Sequence, residues 1–241
     1  RDAGWDSAGR LGPRRVLMRQ EDTQGEAVLR GGGLEIESHS NFVSARANVC
    51  VADGKWMFEA TLGTAGIQQL GWATLDCPCN HEEGVGDFPN SFAYDGKRVK
   101  KWNVACQPYG HAWVAGDVIG CCLDLDLGEI WFWRNGECLG KAFENVKRFR
   151  KMLAYFPAMS LSHGERCSLN FGHTPFRYPV PGFQPLQAPP PVGATCAARV
   201  LLGQAAEVAR CCSAEGRAEA IALCGDICEQ LGPLLAQEYI V

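Results

Sequence analysis

The chain has 241 residues, a formal net charge of −4 and 46% hydrophobic residues. That leaves room for one sandwich-sized domain plus a small second unit. The acidic balance gives no general pull toward nucleic acid or anionic lipid, and no apolar run approaches the roughly 18 residues a membrane span needs. The start lacks the charged-then-apolar pattern of a secretory leader. It opens on Arg1 rather than Met and closes on Tyr239-Ile-Val241, as a piece of a longer chain would.

In chain order, residues 1–27 are polar and glycine-rich and read as a flexible or edge-strand lead-in around Val16-Leu17-Met18. The first strong signal is Gly54-Lys-Trp-Met-Phe-Glu-Ala-Thr-Leu62. Here Trp56, Phe58, Ala60 and Leu62 alternate with Lys55, Met57, Glu59 and Thr61. A period of two predicts a strand with one row in a core and the other toward solvent or a second layer. Gln69-Leu-Gly-Trp-Ala73 repeats the pattern around Gly71, where a missing Cβ lets another chain or ring approach. Ile119, Cys121, Leu123 and Leu125 share one face of the next strand, and Glu129-Ile-Trp-Phe-Trp-Arg134 returns as another. Asn135-Gly136 then marks a tight hairpin, because both central residues of the favoured turn need positive φ. Ala154-Tyr-Phe-Pro-Ala-Met-Ser-Leu161 and Arg166-Cys-Ser-Leu-Asn-Phe171 close the series around Ser162-His-Gly-Glu165. Strands at short intervals without a helical period predict a mainly β protein, an antiparallel β-sandwich.

Beyond it, Pro175, Pro179, Pro181, Pro185 and Pro189-Pro-Pro191 interrupt regular structure and predict an extended linker, assigned to residues 187–193. Leu201, Ala205, Val208 and Cys212, then Ala220, Cys224, Ile227 and Leu231, recur at helical spacing. They predict a short α-helical extension over residues 194–241, too small to bury its apolar faces alone and so expected to begin a larger helical region.

The landmarks Gly54-Lys-Trp-Met-Phe-Glu59, Leu70-Gly-Trp-Ala73, Ser91-Phe-Ala-Tyr-Asp-Gly96, Ala115-Gly-Asp-Val-Ile-Gly120, Asn135-Gly136 and Leu169-Asn-Phe-Gly172 resemble the SPRY domain over residues 28–186. Glu83-Gly-Val-Gly-Asp87, Lys101-Trp-Asn103, Tyr109-Gly110, Leu139-Gly-Lys-Ala-Phe143 and Phe183-Gln-Pro-Leu-Gln187 are similar to one subgroup. That subgroup is the SPRY domain of the large RING-type ubiquitin ligase of the Kip ubiquitylation-promoting complex and its relatives. The resemblance implies a non-catalytic module that recruits a protein or peptide, a ubiquitylation substrate above all, to a RING finger far downstream. A cytoplasmic location goes with it. The alternative is an intramolecular scaffold SPRY domain in another large intracellular protein.

The same resemblance places the ligand groove at one end of the sandwich. It implies partner-binding roles for Thr74, Glu82, Glu83 and Asp87 in the loop after the strand at 69–74, and for Ser162, His163 and Gly164 in the facing loop. Residues near Ser38 and Asn41 form a third wall. Trp102 and Tyr109 are aromatic anchor candidates, since such residues dominate hot spots; packing in the sandwich is the alternative for Trp102.

Catalysis and cofactors find little support. Asp124 and Asp126 share a strand face but precede a turn, where aspartate bonds backbone amides. His39, His81, His111, His163 and His173 show no nucleophile–base spacing, and no phosphate-cradling loop is present. Cys77-Pro-Cys79-Asn-His81 departs from structural zinc spacing. The thirteen cysteines fit small apolar core residues of a reduced protein. Lys97, Arg98, Lys100 and Lys101, with Lys147, Arg148, Arg150 and Lys151, interleave Trp102 and Phe149 as single-strand binders do. Nearby Glu82, Glu83, Asp87 and Asp95 favour a solvated face or a rim that steers acidic peptides. No cofactor, metal, nucleic acid or membrane partner is expected.

Overall fold

The structure is a computed structural model that describes residues 9–75, 77, 82–146 and 153–187. The chain divides into two compact units, Arg1–Gln187 and Ala188–Val241, and only the first carries described residues. The helical segment expected over 194–241 therefore lies outside the described residues, as do Lys147, Arg148, Arg150, Lys151, Cys79 and His81.

The described part is built from strands. In order they are β1 (Arg10–Leu11), β2 (Met18–Gln24), β3 (Ala27–Arg30), β4 (Glu35–Ser38), β5 (Phe42–Ala47), β6 (Cys50–Val51), β7 (Lys55–Leu62), β8 (Gln68–Thr74) and β9 (Ser91–Asp95). There follow β10 (Lys100–Asn103), β11 (Ala105–Pro108), β12 (Val118–Asp124), β13 (Glu129–Arg134), β14 (Glu137–Phe143), β15 (Tyr155–Ser162), β16 (Arg166–Asn170) and β17 (Gln184–Pro185). One sheet runs β1-β6-β15-β8-β9-β10-β11, with β5 beside β15 and β2 beyond β5. The other runs β14-β13-β12-β7-β16-β4-β3. Every pairing is antiparallel except β17 on β7. Thus part of the lead-in is paired: β1 joins β6 and β2 joins β5.

The alternation seen in the sequence decides what faces inward. Trp56, Phe58, Ala60 and Leu62 of β7 meet Leu70 and Trp72 of β8 in one continuous core between the sheets. Aromatic rings bridge the two layers: Phe58 lies edge-on to Trp72 at 5.3 Å, and Phe92 edge-on to Phe143 at 5.1 Å. Gly71 permits a close approach, but the neighbour is the backbone of β9, where Phe92 O would sit 2.0 Å from an added Cβ. Asn135 (φ 50°) and Gly136 (φ 83°) make the hairpin turn between β13 and β14.

The middle of the outward row of β7, Met57 and Glu59, is not solvated. Met57 and Cys122 pack with Val180 under Phe176, Phe183, Trp131 and Trp133. Glu59, only 3% exposed, accepts the backbone N–H groups of Arg177 (2.9 Å) and Tyr178 (2.7 Å). The proline-bearing residues 175–187 are therefore a strap fastened to the outer face of this sheet; all but the last fall within the 28–186 span given to the sandwich, and residues 188–193 of the expected linker lie outside the described residues. Proline rules out regular pairing along most of the segment, yet Gln184–Pro185 still adds a short parallel strand. The seven described cysteines, among them buried Cys121, Cys122 and Cys167, are free thiols.

Candidate functional site

The other sheet carries the open site on its outer face. Since Leu70, Trp72, Phe92 and Tyr94 point into the core, their neighbours Gln69 and Asp95 point outward. Register places Ser160 of β15 between Gln69 of β8 and Ser44 of β5. Ser44, Ser160, Gln69 and Asp95 thus form a polar row across four strands, each no more than 1% exposed.

What buries this row is the segment 82–88. Gly84 is required there by contact: a Cβ would lie 2.3 Å from Ser160 Oγ and 2.5 Å from the Phe42 ring. Val85 N donates to Ser160 Oγ at 2.9 Å, and the Ser160 and Ser44 hydroxyls share a hydrogen bond of 2.6 Å. The segment closes on itself, with Gly84 N donating to Asp87 Oδ2 (2.7 Å) and Asp87 N to Gly84 O (3.1 Å). Val104 N, from the β10–β11 turn, donates to Gly86 O at 2.8 Å. Val85, Ala73, Ala93 and Ala158 form a small apolar cluster under it, flanked by Phe88 and Trp102.

Between this segment and the tip of β15 lies a cleft of about 450 Å³. Asn41, Phe42, Ile67, Gln69, Glu82, Glu83, Asp87, Arg98, Trp102, Val104 and Ser162 line it. Phe42, Ile67, Val104 and the Trp102 ring give it apolar walls. Glu82, Glu83 and Asp87 bring carboxylates to the lining and Arg98 brings a guanidinium. Arg98 Nε donates to buried Asp95 at 2.5 Å, and the group lies 4.1 Å over the Trp102 ring. Burial pushes the Asp87 carboxyl above its ordinary range, only partly offset by the Gly84 amide, Arg98 and Gln69.

Of the residues expected from the sequence, the structure brings Glu82, Glu83, Asp87, Trp102 and Ser162 to this cleft, with Asn41 on the third wall. Thr74 does not line it: it is 2% exposed, and its hydroxyl donates to Asn90 O at 3.4 Å. Tyr109 does not either. Its hydroxyl donates to Gly140 O (2.7 Å), its ring packs edge-on to Tyr94, and burial pushes its phenol upward. His163 and Gly164 are exposed at the β15–β16 turn outside the lining, with Gly164 N held by Ser38 O at 2.9 Å. Sequence reasoning missed Gln69, Phe42, Ile67 and Val104. Gln69 was findable as a polar residue on the outward row of a strand whose inward row was already assigned.

Within the basic cluster, two of the described side chains are engaged by the protein itself. Lys101 Nζ donates to Ala142 O beside the Phe143 ring, and Arg98 is paired as above. No group of three metal-ligating side chains, and no helix long and apolar enough to cross a membrane, occurs among the described residues.

Comparison with known proteins gives the family. Residues 55–174 match the SPRY domain family. Over 180 residues, 75% of the chain, it is 54% identical to the E3 ubiquitin-protein ligase RKP of Arabidopsis thaliana. Over 129 residues, 54% of the chain, it is 37% identical to the ATP-dependent RNA helicase Ddx1 of Drosophila melanogaster. The aligned parts span only 14% and 17% of those two relatives.

Proposed function

Because residues 55–174 belong to the SPRY domain family, we propose that this chain is the recruiting module of a RING-type ubiquitin ligase. It holds a substrate or partner protein at the cleft beside segment 82–88. The module itself carries out no chemistry; the full-length protein is the ubiquitin-protein ligase, working in the cytoplasm. Holding the target raises the effective concentration of its lysines near a distant RING. The observation that carries this is the cleft's construction, in which apolar walls and converging polar groups sit on a rigid sheet. The similarity to a plant E3 ligase supports the pathway.

The test uses full-length ligase with Glu83→Arg and Val104→Arg together, two exposed cleft residues. Crosslinking in cytosol followed by mass spectrometry should yield proteins that are captured and ubiquitylated by the wild type and lost in the variant. The thermal midpoint should not move. An identical captured set in both would remove the cleft from the function.

A further inference from the structure

Resting on that reading of the cleft, we infer that Arg98 is the residue that takes hold of the ligand, and that it holds a main-chain carbonyl oxygen of the bound peptide. Its guanidinium lines the cleft and is fixed from two directions. Nε donates to Asp95 Oδ2 at 2.5 Å, and the planar group lies 4.1 Å over the Trp102 ring. Asp95 is fully buried and is itself set in place by the backbone N–H groups of Lys97 (2.8 Å) and Arg98 (3.2 Å). The terminal nitrogens of Arg98, Nη1 and Nη2, have no hydrogen-bond partner among the described residues. The side chain is 33% exposed, and both nitrogens are open to solvent. A surface guanidinium ordinarily gives up rotamer freedom when it binds. One that is stacked and tied at Nε has already given it up, so its remaining N–H groups are preorganised for an acceptor. Gln69 Oε1 and Trp102 Nε1 in the same lining also lack partners, but both are closed to solvent. They are an acceptor and a donor beyond a ligand's reach, so neither selects one.

What Arg98 has left to offer is direction rather than charge. Asp95 supplies the balancing carboxylate at Nε, and Asp87 in the same lining also feels the Arg98 charge. A ligand carboxylate at Nη1 and Nη2 would add a third negative group around one guanidinium and come up against Asp87. A ligand ammonium would face these N–H groups donor to donor. A carbonyl oxygen has two lone pairs and brings no net charge, and every peptide carries such groups along its backbone. Arg98 therefore selects by hydrogen bonding, where the Lys97–Lys101 run in the sequence suggests charge steering of acidic peptides.

The test pans a phage-displayed library of random dodecapeptides against the complete 241-residue chain. Sequences that still bind the Glu83→Arg/Val104→Arg variant are discarded. Synthetic copies of the rest are measured with each main-chain carbonyl in turn made a thiocarbonyl, a poorer acceptor, and with each charged side chain made a neutral isostere. One carbonyl position should raise Kd roughly tenfold, while the neutral isosteres leave it within about threefold. On the protein side, Arg98→Met with Asp95→Asn removes the guanidinium without leaving a buried carboxylate unpaired. Arg98→Lys keeps the charge but not the planar fork. Both should bind the unmodified peptides roughly tenfold more weakly, and in both the thiocarbonyl penalty should disappear. A role in packing alone would weaken binding yet keep that penalty, and would overturn the assignment. Peptides that need a carboxylate or an ammonium, or that bind every Arg98 variant as well as the wild type, overturn it too, while the cleft remains a capture site. If no peptide depends on the cleft, both readings fall.

Discussion

Asp117 shows how much a single buried carboxylate can organise. It accepts hydrogen bonds from Val114 N (2.8 Å), Arg134 Nε (2.7 Å) and Asn135 Nδ2 (2.7 Å), tying the turn before β12 to the β13–β14 hairpin. Burial works to raise its pKa, but these donors prevail and hold it below the ordinary carboxylate value. A carboxylate with a lower pKa in the folded than in the unfolded state stabilises above the unfolded value. That contribution is lost as pH falls through the folded one. Asp117→Asn should cost about 1–3 kcal/mol at neutral pH, where it breaks a buried hydrogen-bond set. The gap from wild type should narrow in acid. Urea unfolding at several pH values measures this, and a pH-independent gap would contradict the assignment. At this scale the sequence was least informative about the site. Thr74 and Tyr109 carry side chains that suit a ligand, but burial by neighbouring segments is invisible to strand periodicity. Alternation puts Gln69 on the outward row of its strand but does not show that segment 82–88 lies beside that row.

Among the elements, the β10–β11 hairpin carries visible strain. Asn103 pairs with Ala105, so Val104 alone makes the turn, with φ of 62°. A β-branched residue pays roughly 1–2 kcal/mol for left-handed backbone, and such strain gathers at ligand clamps. Val104 is also 60% exposed and lines the cleft. Val104→Gly should raise the melting temperature by roughly 2–4 °C by releasing the strain. The same change should weaken peptide capture by removing an apolar wall. Calorimetry of the variant decides the first part, and a lowered midpoint would count against it. Strands β7, β8, β12, β13, β15 and β16 were legible from alternation because each has one face on the common core. The strap over residues 175–187 was not. Prolines signal a break in pairing, but not whether the broken segment leaves or lies flat on apolar side chains.

Across the whole molecule, the two sheets differ in how their outer faces are used. One is closed by the strap, the other bears segment 82–88 and the open cleft. Glu59 fastens the strap, so Glu59→Ala leaves the Arg177 and Tyr178 amides without their acceptor. Those amides would regain water if the strap lifts, which makes local opening the cheaper response than global unfolding. Hydrogen exchange should accelerate over residues 176–183 while β8 and β15 stay protected. Uniform loss of protection would show that the strap and sandwich unfold as one unit. Fold class was readable because it follows from alternating patterns summed over many strands. The cleft was only partly readable, because it depends on which loop lies across which row.

The segments at either end of the sandwich also meet. Arg10 Nε donates to Leu186 O at 2.5 Å, and Val16 N donates to Gln187 Oε1 at 2.8 Å. A unit clasped in this way can hang from a longer polypeptide like a pendant, interrupting its host by only a narrow gap. Tension entering at Gln187 would reach both layers at once, because Arg10 belongs to the sheet that bears the cleft while Gln184–Pro185 is paired with β7 of the other.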